Sequence, residues 1–237
     1  LDDGGEMGRL MREKDWSLTP LGPPESWPQS LRTTLNILLN CPFPMFLFWG
    51  KKLKGFYNDA YRPSLGTDGK HPFILGLNGK ESWPEIWDEI NPLLTAVTEK
   101  GETIKMENQL IPFYRNGRIE DIYWTFSYSP VKDESGNVAG VLTVCTDTTE
   151  AVLAERRLRE SERRFRELAN LSPVWIWITD NDINIEYANK ALLDYVGVEK
   201  ESEFTGQVWV DVVHPHDLEI VYAGFGKALE QQTGFAL

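Results

Sequence analysis

The chain has 237 residues, 41% of them hydrophobic and 12% aromatic, enough apolar material for one large core or two ordinary ones. Lys and Arg number 24 against 36 Asp and Glu, a formal net charge of -12, which argues against a nucleic-acid groove or an anionic membrane surface as the main partner. Cys41 and Cys145 are the only cysteines, too few for a disulfide framework, and no stretch approaches the roughly 18 apolar residues of a membrane span, so a cytoplasmic setting is expected.

The chain opens on Leu1 rather than Met and shows no signal-peptide pattern, so it is expected to be cut from a longer protein. Residues 1–12 are Gly-rich and charged and suit a loose start or a short helix. A rigid turn at Leu21–Pro24 precedes Pro28, which suits the first turn of a helix capped by Ser26 or Trp27. Leu31, Leu35, Leu38 and Leu39 then fall on one helical face, and the helix is expected to stop before Pro42. Residues 1–40 thus read as an extension ending in a cap helix.

Phe43–Trp49 and Leu53–Tyr57, separated by Gly50-Lys51-Lys52, predict a strand pair. Alternation then fails, and short helical pieces follow between Gly66, Gly69, Gly76 and Gly79. Trp83-Pro84-Glu85-Ile86-Trp87 predicts a helix with both indoles on one face, and Asn91 is expected to cap another that runs to Gly101. From Thr103 the period is that of strands. Asn116-Gly117 predicts a hairpin between Thr103–Tyr114 and Ile119–Pro130, and Glu134-Ser135-Gly136-Asn137 turns into Val138–Thr146. The sum is an α+β unit over 41–147, a five-stranded antiparallel sheet with short helices on one face.

Charged residues dominate from Asp147 to Leu171, yet Ala151, Ala154, Leu158, Ser161, Phe165 and Leu168 recur at alternating steps of three and four, the a/d spacing of a heptad. A helix over 148–171 would span roughly 36 Å, more than a connection between neighbours needs. It is expected to pair with its counterpart in a parallel homodimer.

Beyond this rod the pattern begins again. Ser172-Pro173-Val174-Trp175-Ile176-Trp177-Ile178 echoes Cys41–Phe48, and Tyr187-Ala188-Asn189-Lys190-Ala191 lies 131 positions after Phe56-Tyr57-Asn58-Asp59-Ala60. Gly197 matches Gly66 at the same offset. Asp211-Val212-Val213-His214-Pro215 is aligned with Asp88-Glu89-Ile90-Asn91-Pro92 across a deletion, which would set Leu237 opposite Tyr114 and leave the second unit, 172–237, without its last two strands. Trp175, Ile176 and Trp177 are then expected to be ordered only through contacts with another chain.

A Pro-aromatic strand, a strand ending in Asn before a short helix, and a last strand running into Asp147-Thr148-Thr149-Glu150 resemble the PAS sensory family, whose Asp-x-Thr closing leads into a signalling helix. Trp16-Ser17-Leu18-Thr19-Pro20-Leu21-Gly22, Trp27-Pro28 and Trp83-Pro84-Glu85-Ile86-Trp87 resemble the N-terminal PAS region of bacterial sensor histidine kinases, and His214 to Asp217 gives the His-Pro-x-Asp pattern found in many PAS repeats. The resemblance implies tandem PAS domains in a two-component sensor, with the family's ligands ranging from haem and flavin to small acids or nothing.

Which ligand is not settled by the residues. Asn78-Gly79 stands where flavin-binding members carry Asn-Cys, so the adduct-forming cysteine is missing, and His71, His214 and His216 offer no clear haem ligand. His216-Asp217 is too small a set for a metal. Tyr61, Trp83, Trp87, Trp124, Phe126 and Tyr128 are expected to line an apolar pocket with Asn58 as its polar handle, although Asn58 equally suits tying its strand to the following helix. Phosphate loops, nucleophile–base pairs and metal-spaced carboxylates are all missing, which argues for a non-enzymatic sensor fragment acting on an output domain elsewhere. The alternatives are a chromophore-bearing light or redox sensor and a purely structural dimerisation module.

Overall fold

The computed structural model describes residues 4–67, 69–180, 184–200, 203 and 213–231. The chain divides into two compact units, 1–155 and 156–237, the boundary falling inside a long helix. No helix among the described residues is long and apolar enough to cross a membrane.

The first unit begins with α1 (Gly5–Glu13), so residues 1–12 contain a short helix, and its Met7 and Met11 are wholly buried. Helix α2 (Gln29–Asn40) buries Leu31, Leu35, Leu38 and Leu39, the predicted face. Its N-terminus is capped differently from the expectation. Pro28 is the N-cap and has no side chain to offer, so neither Ser26 nor Trp27 fills the role. Glu134, from a distant turn, accepts from Ser30 N at 2.7 Å and places a carboxylate at the positive end of the helix.

The sheet is formed by β1 (Met45–Trp49), β2 (Lys54–Tyr57), β3 (Ile104–Arg115), β4 (Arg118–Lys132) and β5 (Val138–Asp147), in the order β2-β1-β5-β4-β3 with every pair antiparallel. Asn116 and Gly117 both take positive φ, 54° and 75°, as a two-residue hairpin turn requires. The residues between β2 and β3 carry a 3-10 turn (Asp59–Leu65), α3 (Gly79–Ser82) and α4 (Trp87–Lys100). Asn91 caps nothing, because Asn91 and Pro92 lie inside α4, which starts earlier with Ile86 as N-cap. Pro92 removes one hydrogen bond there, near enough to the start for the helix to continue.

Helix α5 (Thr149–Leu171) is continuous through the predicted rod. The second unit adds β6 (Trp177–Thr179), β7 (Ile185–Ala188), α6 (Lys190–Val196) and α7 (Leu218–Gln231). β6 and β7 pair in the register of β1 and β2: Trp177 faces Ala188 as Phe46 faces Tyr57. The repeat holds one offset further than the sequence suggested. α7 starts 131 positions after α4, Asp217 N bonds His214 O as Ile86 N bonds Trp83 O, and Val221 N bonds Asp217 O as Ile90 N bonds Ile86 O. His214-Pro215 therefore corresponds to Trp83-Pro84 and not to Asn91-Pro92, the deletion disappears, and Leu237 takes the place of Met106. The residues around Leu237 lie outside those described.

Candidate functional site

Alternation along three strands aims side chains at one face of the first sheet: the aromatic Phe46 and Phe48 from β1 and Trp124, Phe126 and Tyr128 from β4, and the smaller Thr143 and Cys145 from β5. Trp83, Ile86 and Ile90 close the other side, with Tyr61, Ile111 and Phe113 at the ends. These groups surround a cavity of about 40 Å³. That admits about three waters or a molecule of a few atoms, an order of magnitude below the roughly 300–1,000 Å³ of a drug-sized ligand site. The aromatics have largely filled the space they frame: Phe46 and Trp83 centroids stand 5.8 Å apart, Trp83 and Phe113 4.7 Å, Phe113 and Trp124 5.3 Å.

Two polar atoms in this lining are buried without a partner, Trp124 Nε1 and Thr143 Oγ1. Burial pushes the Tyr61 and Tyr128 phenols well above their ordinary value, so both stay neutral. Cys145 is pushed up to about 12 by burial first and by Asp147 second, which leaves an unreactive thiol directed at Pro44 O 3.9 Å away.

Five of the seven predicted pocket residues meet here: Tyr61, Trp83, Trp124, Phe126 and Tyr128. Trp87 does not. The backbone from Trp83 to Ile86 is not helical, so the indoles lose the i,i+4 phase, and Trp87 packs instead on Gly79 and lines, with Leu53, a separate surface groove. Asn58 is not a handle for a ligand either, since its side chain is fully used. Oδ1 accepts from Met45 N and Tyr61 N, and Nδ2 donates to Leu38 O, Cys41 O and Phe43 O, all within 2.8–3.1 Å. The second unit repeats this clasp partner for partner. Asn189 accepts from Ile176 N and Leu192 N and donates to Ala169 O, Ser172 O and Val174 O. Sequence reading missed Phe46, Phe48, Ile86, Ile90, Ile111, Phe113, Thr143 and Cys145, although for those on strands the two-residue period of β1, β3 and β5 carries the signal.

At the exit of the first unit, Thr148 donates to Tyr123 O through both its N–H (2.8 Å) and its hydroxyl (3.1 Å), and Thr149 Oγ1 accepts from Tyr123 N. Asp147 accepts from Arg115 at 3.2 Å, and Arg115 also binds Glu120 at 2.7 Å. The neighbours of Arg115 tie the same hairpin tip to the segment before α4. Glu85 Oε1 accepts from Tyr114 N and from Lys70, and Asn116 Oδ1 accepts from Thr67 N.

Of the predicted seam on α5, Ala151, Ala154, Leu158, Phe165 and Leu168 are exposed in the single chain, Leu158 and Leu168 at 70%. Phe165 is partly engaged, its ring 5.2 Å from Tyr187. His71 is held between the Tyr57 hydroxyl and Glu6, and His214 and His216 stack on each other. No metal-spaced group of His, Cys, Asp and Glu occurs among the described residues.

Residues 56–153 match the family described as PAS fold and residues 163–230 the family described as PAS domain. An uncharacterised protein, y4lL of Sinorhizobium fredii, is 36% identical over 73 residues, 31% of this chain and 9% of its own length. The two-component sensor PprA of Pseudomonas aeruginosa is 27% identical over 156 residues, 64% of this chain and 16% of its own length. The chain thus spans less than a fifth of either curated relative. Among solved structures, the PAS domain of Bordetella pertussis BvgS is similar at 21% identity and a TM-score of 0.40, covering 56% of this chain and 97% of that one.

Proposed function

Two segments of the chain, 56–153 and 163–230, belong to the PAS family, and from that premise we propose that the chain is the sensory module of a two-component sensor, a histidine kinase, relaying a change in its first unit along α5 to an output domain. The observation that carries this reading is the fastening of α5. Its first turn is bonded to Tyr123 with Asp147 on Arg115, and its last turn, through Ala169, to Asn189.

The input is the content of the first cavity. Among the described residues no charged side chain lines it, and its unpaired groups are an indole N–H and a hydroxyl, so it suits a compact neutral molecule that presents an acceptor. A change there displaces Trp83 and Ile86, and Glu85 between them carries the shift to Tyr114, Arg115 and Asp147. The relay is a parallel homodimer about α5, whose Leu158 and Leu168 are 70% exposed in the single chain.

Two measurements test the relay. Sedimentation should show a dimer that Leu158→Glu with Leu168→Glu converts to monomers; a monomer at high concentration without substitution sinks the dimer. In the parent protein, one residue inserted between Arg157 and Leu158 turns the rest of the helix by roughly 100° and should change output, while seven inserted residues restore it. Output indifferent to both insertions removes α5 from the signalling route.

A further inference from the structure

In the second unit an open groove of about 610 Å³ runs between the end of α5, β7 and α6, lined by Arg166, Asn170, Tyr187, Lys190, Leu193 and Lys200 among others. Shifted back by 131 positions, its wall residues become Leu35, Leu39, Phe56, Asp59 and Arg62 of the first unit. There the same place is filled. Gly4 lies against Leu39, the N–H groups of Glu6 and Met7 donate to the Asp59 carboxylate at 2.9 Å each, Glu6 pairs with Arg62, and Trp16 stacks on Phe56 with centroids 5.3 Å apart.

The second unit cannot furnish the same cover from the same place in its own sequence. The residues 131 positions after α1 are Gly136–Val144, which belong to the turn before β5 and to β5 itself. What precedes the second unit is α5, already helical through the positions where a cover would have to begin.

We propose that this groove is a docking site for an amphipathic helical segment of a partner protein, bound as α1 is bound in the first unit but with altered chemistry at two places. Asp59 accepts backbone N–H groups from α1; Lys190 at the matching position is a donor and calls for a carboxylate. Arg62 pairs with the Glu6 carboxylate; Leu193 at the matching position calls for an apolar side chain. Among the described residues the Lys190 ammonium meets an exposed i,i+4 pair with Asp194 at 2.9 Å, a weak competitor for an incoming acid, while its backbone N–H bonds Asn170 Oδ1. A segment seated there touches Arg166 and Asn170 on the last turns of α5, so its binding acts on the relay helix.

The test uses the full chain, labelled with 15N, and two synthetic peptides: residues 4–16 unchanged, and the same peptide with Gly5→Asp and Glu6→Leu, which sets a carboxylate opposite Lys190 and a leucine opposite Leu193. The altered peptide should shift the amide signals of Tyr187, Lys190 and Leu193 and bind at least tenfold tighter than the unchanged one. Lys190→Glu, at an exposed position that leaves the fold alone, should remove that preference. Equal affinity of the two peptides, or indifference to Lys190→Glu, overturns the proposal. So does saturation of the same shifts by succinate at the peptide's concentration, which would make the groove a small-anion site, and so do cross-links through Lys190 between two copies, which would make the occupant a second chain.

Discussion

The two units share a local frame and differ in what encloses it. Asn58 and Asn189 make the same five hydrogen bonds, and β6–β7 repeats the register of β1–β2, yet Phe46 and Leu47 are 1% and 0% exposed while Trp177 and Ile178, which take their places, are 47% and 43% exposed. β1 is flanked by β2 and β5; β6 is flanked only by β7 among the described residues. The clasp and the hairpin are fixed by residues close in sequence, whereas burial of the aromatic face depends on strands and helices that the first unit draws from both directions along the chain.

If that is right, the largest effect comes from stripping the first unit's cover. Trp16→Ala removes a buried indole that stacks on Phe56 and donates to Met11 O at 2.7 Å, and should cost about 3–5 kcal/mol in urea unfolding, while hydrogen exchange in β6 and β7 stays unchanged. Loss of protection in both units would break the picture of separate cores. Next, Asn58→Ala and Asn189→Ala each leave carbonyls and N–H groups without partners, and because Phe43 and Val174 are matched in exposure at 63% and 65%, each should cost a similar amount, about 1–3 kcal/mol. Clearly unequal losses would show that what encloses each unit, and not the clasp alone, sets its worth.

A smaller effect separates α5 from both cores. Leu158→Glu with Leu168→Glu should move unfolding of the single chain by less than about 0.5 kcal/mol for each change, because neither side chain is covered there, while abolishing association. The smallest concerns acid. Hydrogen bonds from Arg115 and then Arg118 hold the Glu120 carboxyl at about 2. A depressed carboxylate contributes its stability above the ordinary value near 4.5 and loses it as pH falls through the folded value, so the Arg115–Glu120 link should loosen only as pH approaches about 2. NMR titration of the Glu120 carboxyl reads this directly, and a midpoint near 4 would show that Arg115 is not held there.

Strand periods, the Asn116-Gly117 turn and the 131-residue echo made the sheet, the hairpin and the second unit legible, because each is a short-range pattern with a mechanical cause. The continuous helix α5 was legible for the same reason. What could not be read was set by distant partners. Glu134 caps α2 from across the unit, so no neighbouring residue announces it. Trp87 leaves the cavity because the backbone before it breaks helical phase, although its spacing from Trp83 suggested a shared face. Asn58 reads in sequence either as a pocket handle or as a tie from its strand to the following helix; the tie is what forms, through Tyr61 N, while the three carbonyls on the approach to β1 that also converge on it leave no mark in the sequence. The false deletion arose from matching Asn91-Pro92 with His214-Pro215 by their shared proline, when Trp83-Pro84 offered the same proline at an unbroken offset.

The clasp also behaves as a splice of fixed length. Each asparagine grips three carbonyls and one N–H on the stretch that leads into the strand, Leu38 to Met45 in one case and Ala169 to Ile176 in the other, so that stretch cannot gain or lose a residue without forfeiting a bond. Nothing in the grip senses what lies further upstream. A helix of twelve residues feeds the first clasp and one of twenty-three feeds the second. Any helix that sets the carbonyl of its third-last residue seven residues ahead of the gripped N–H can therefore be grafted in front of such a unit, which gives a physical basis for stringing these units behind connectors of unequal length.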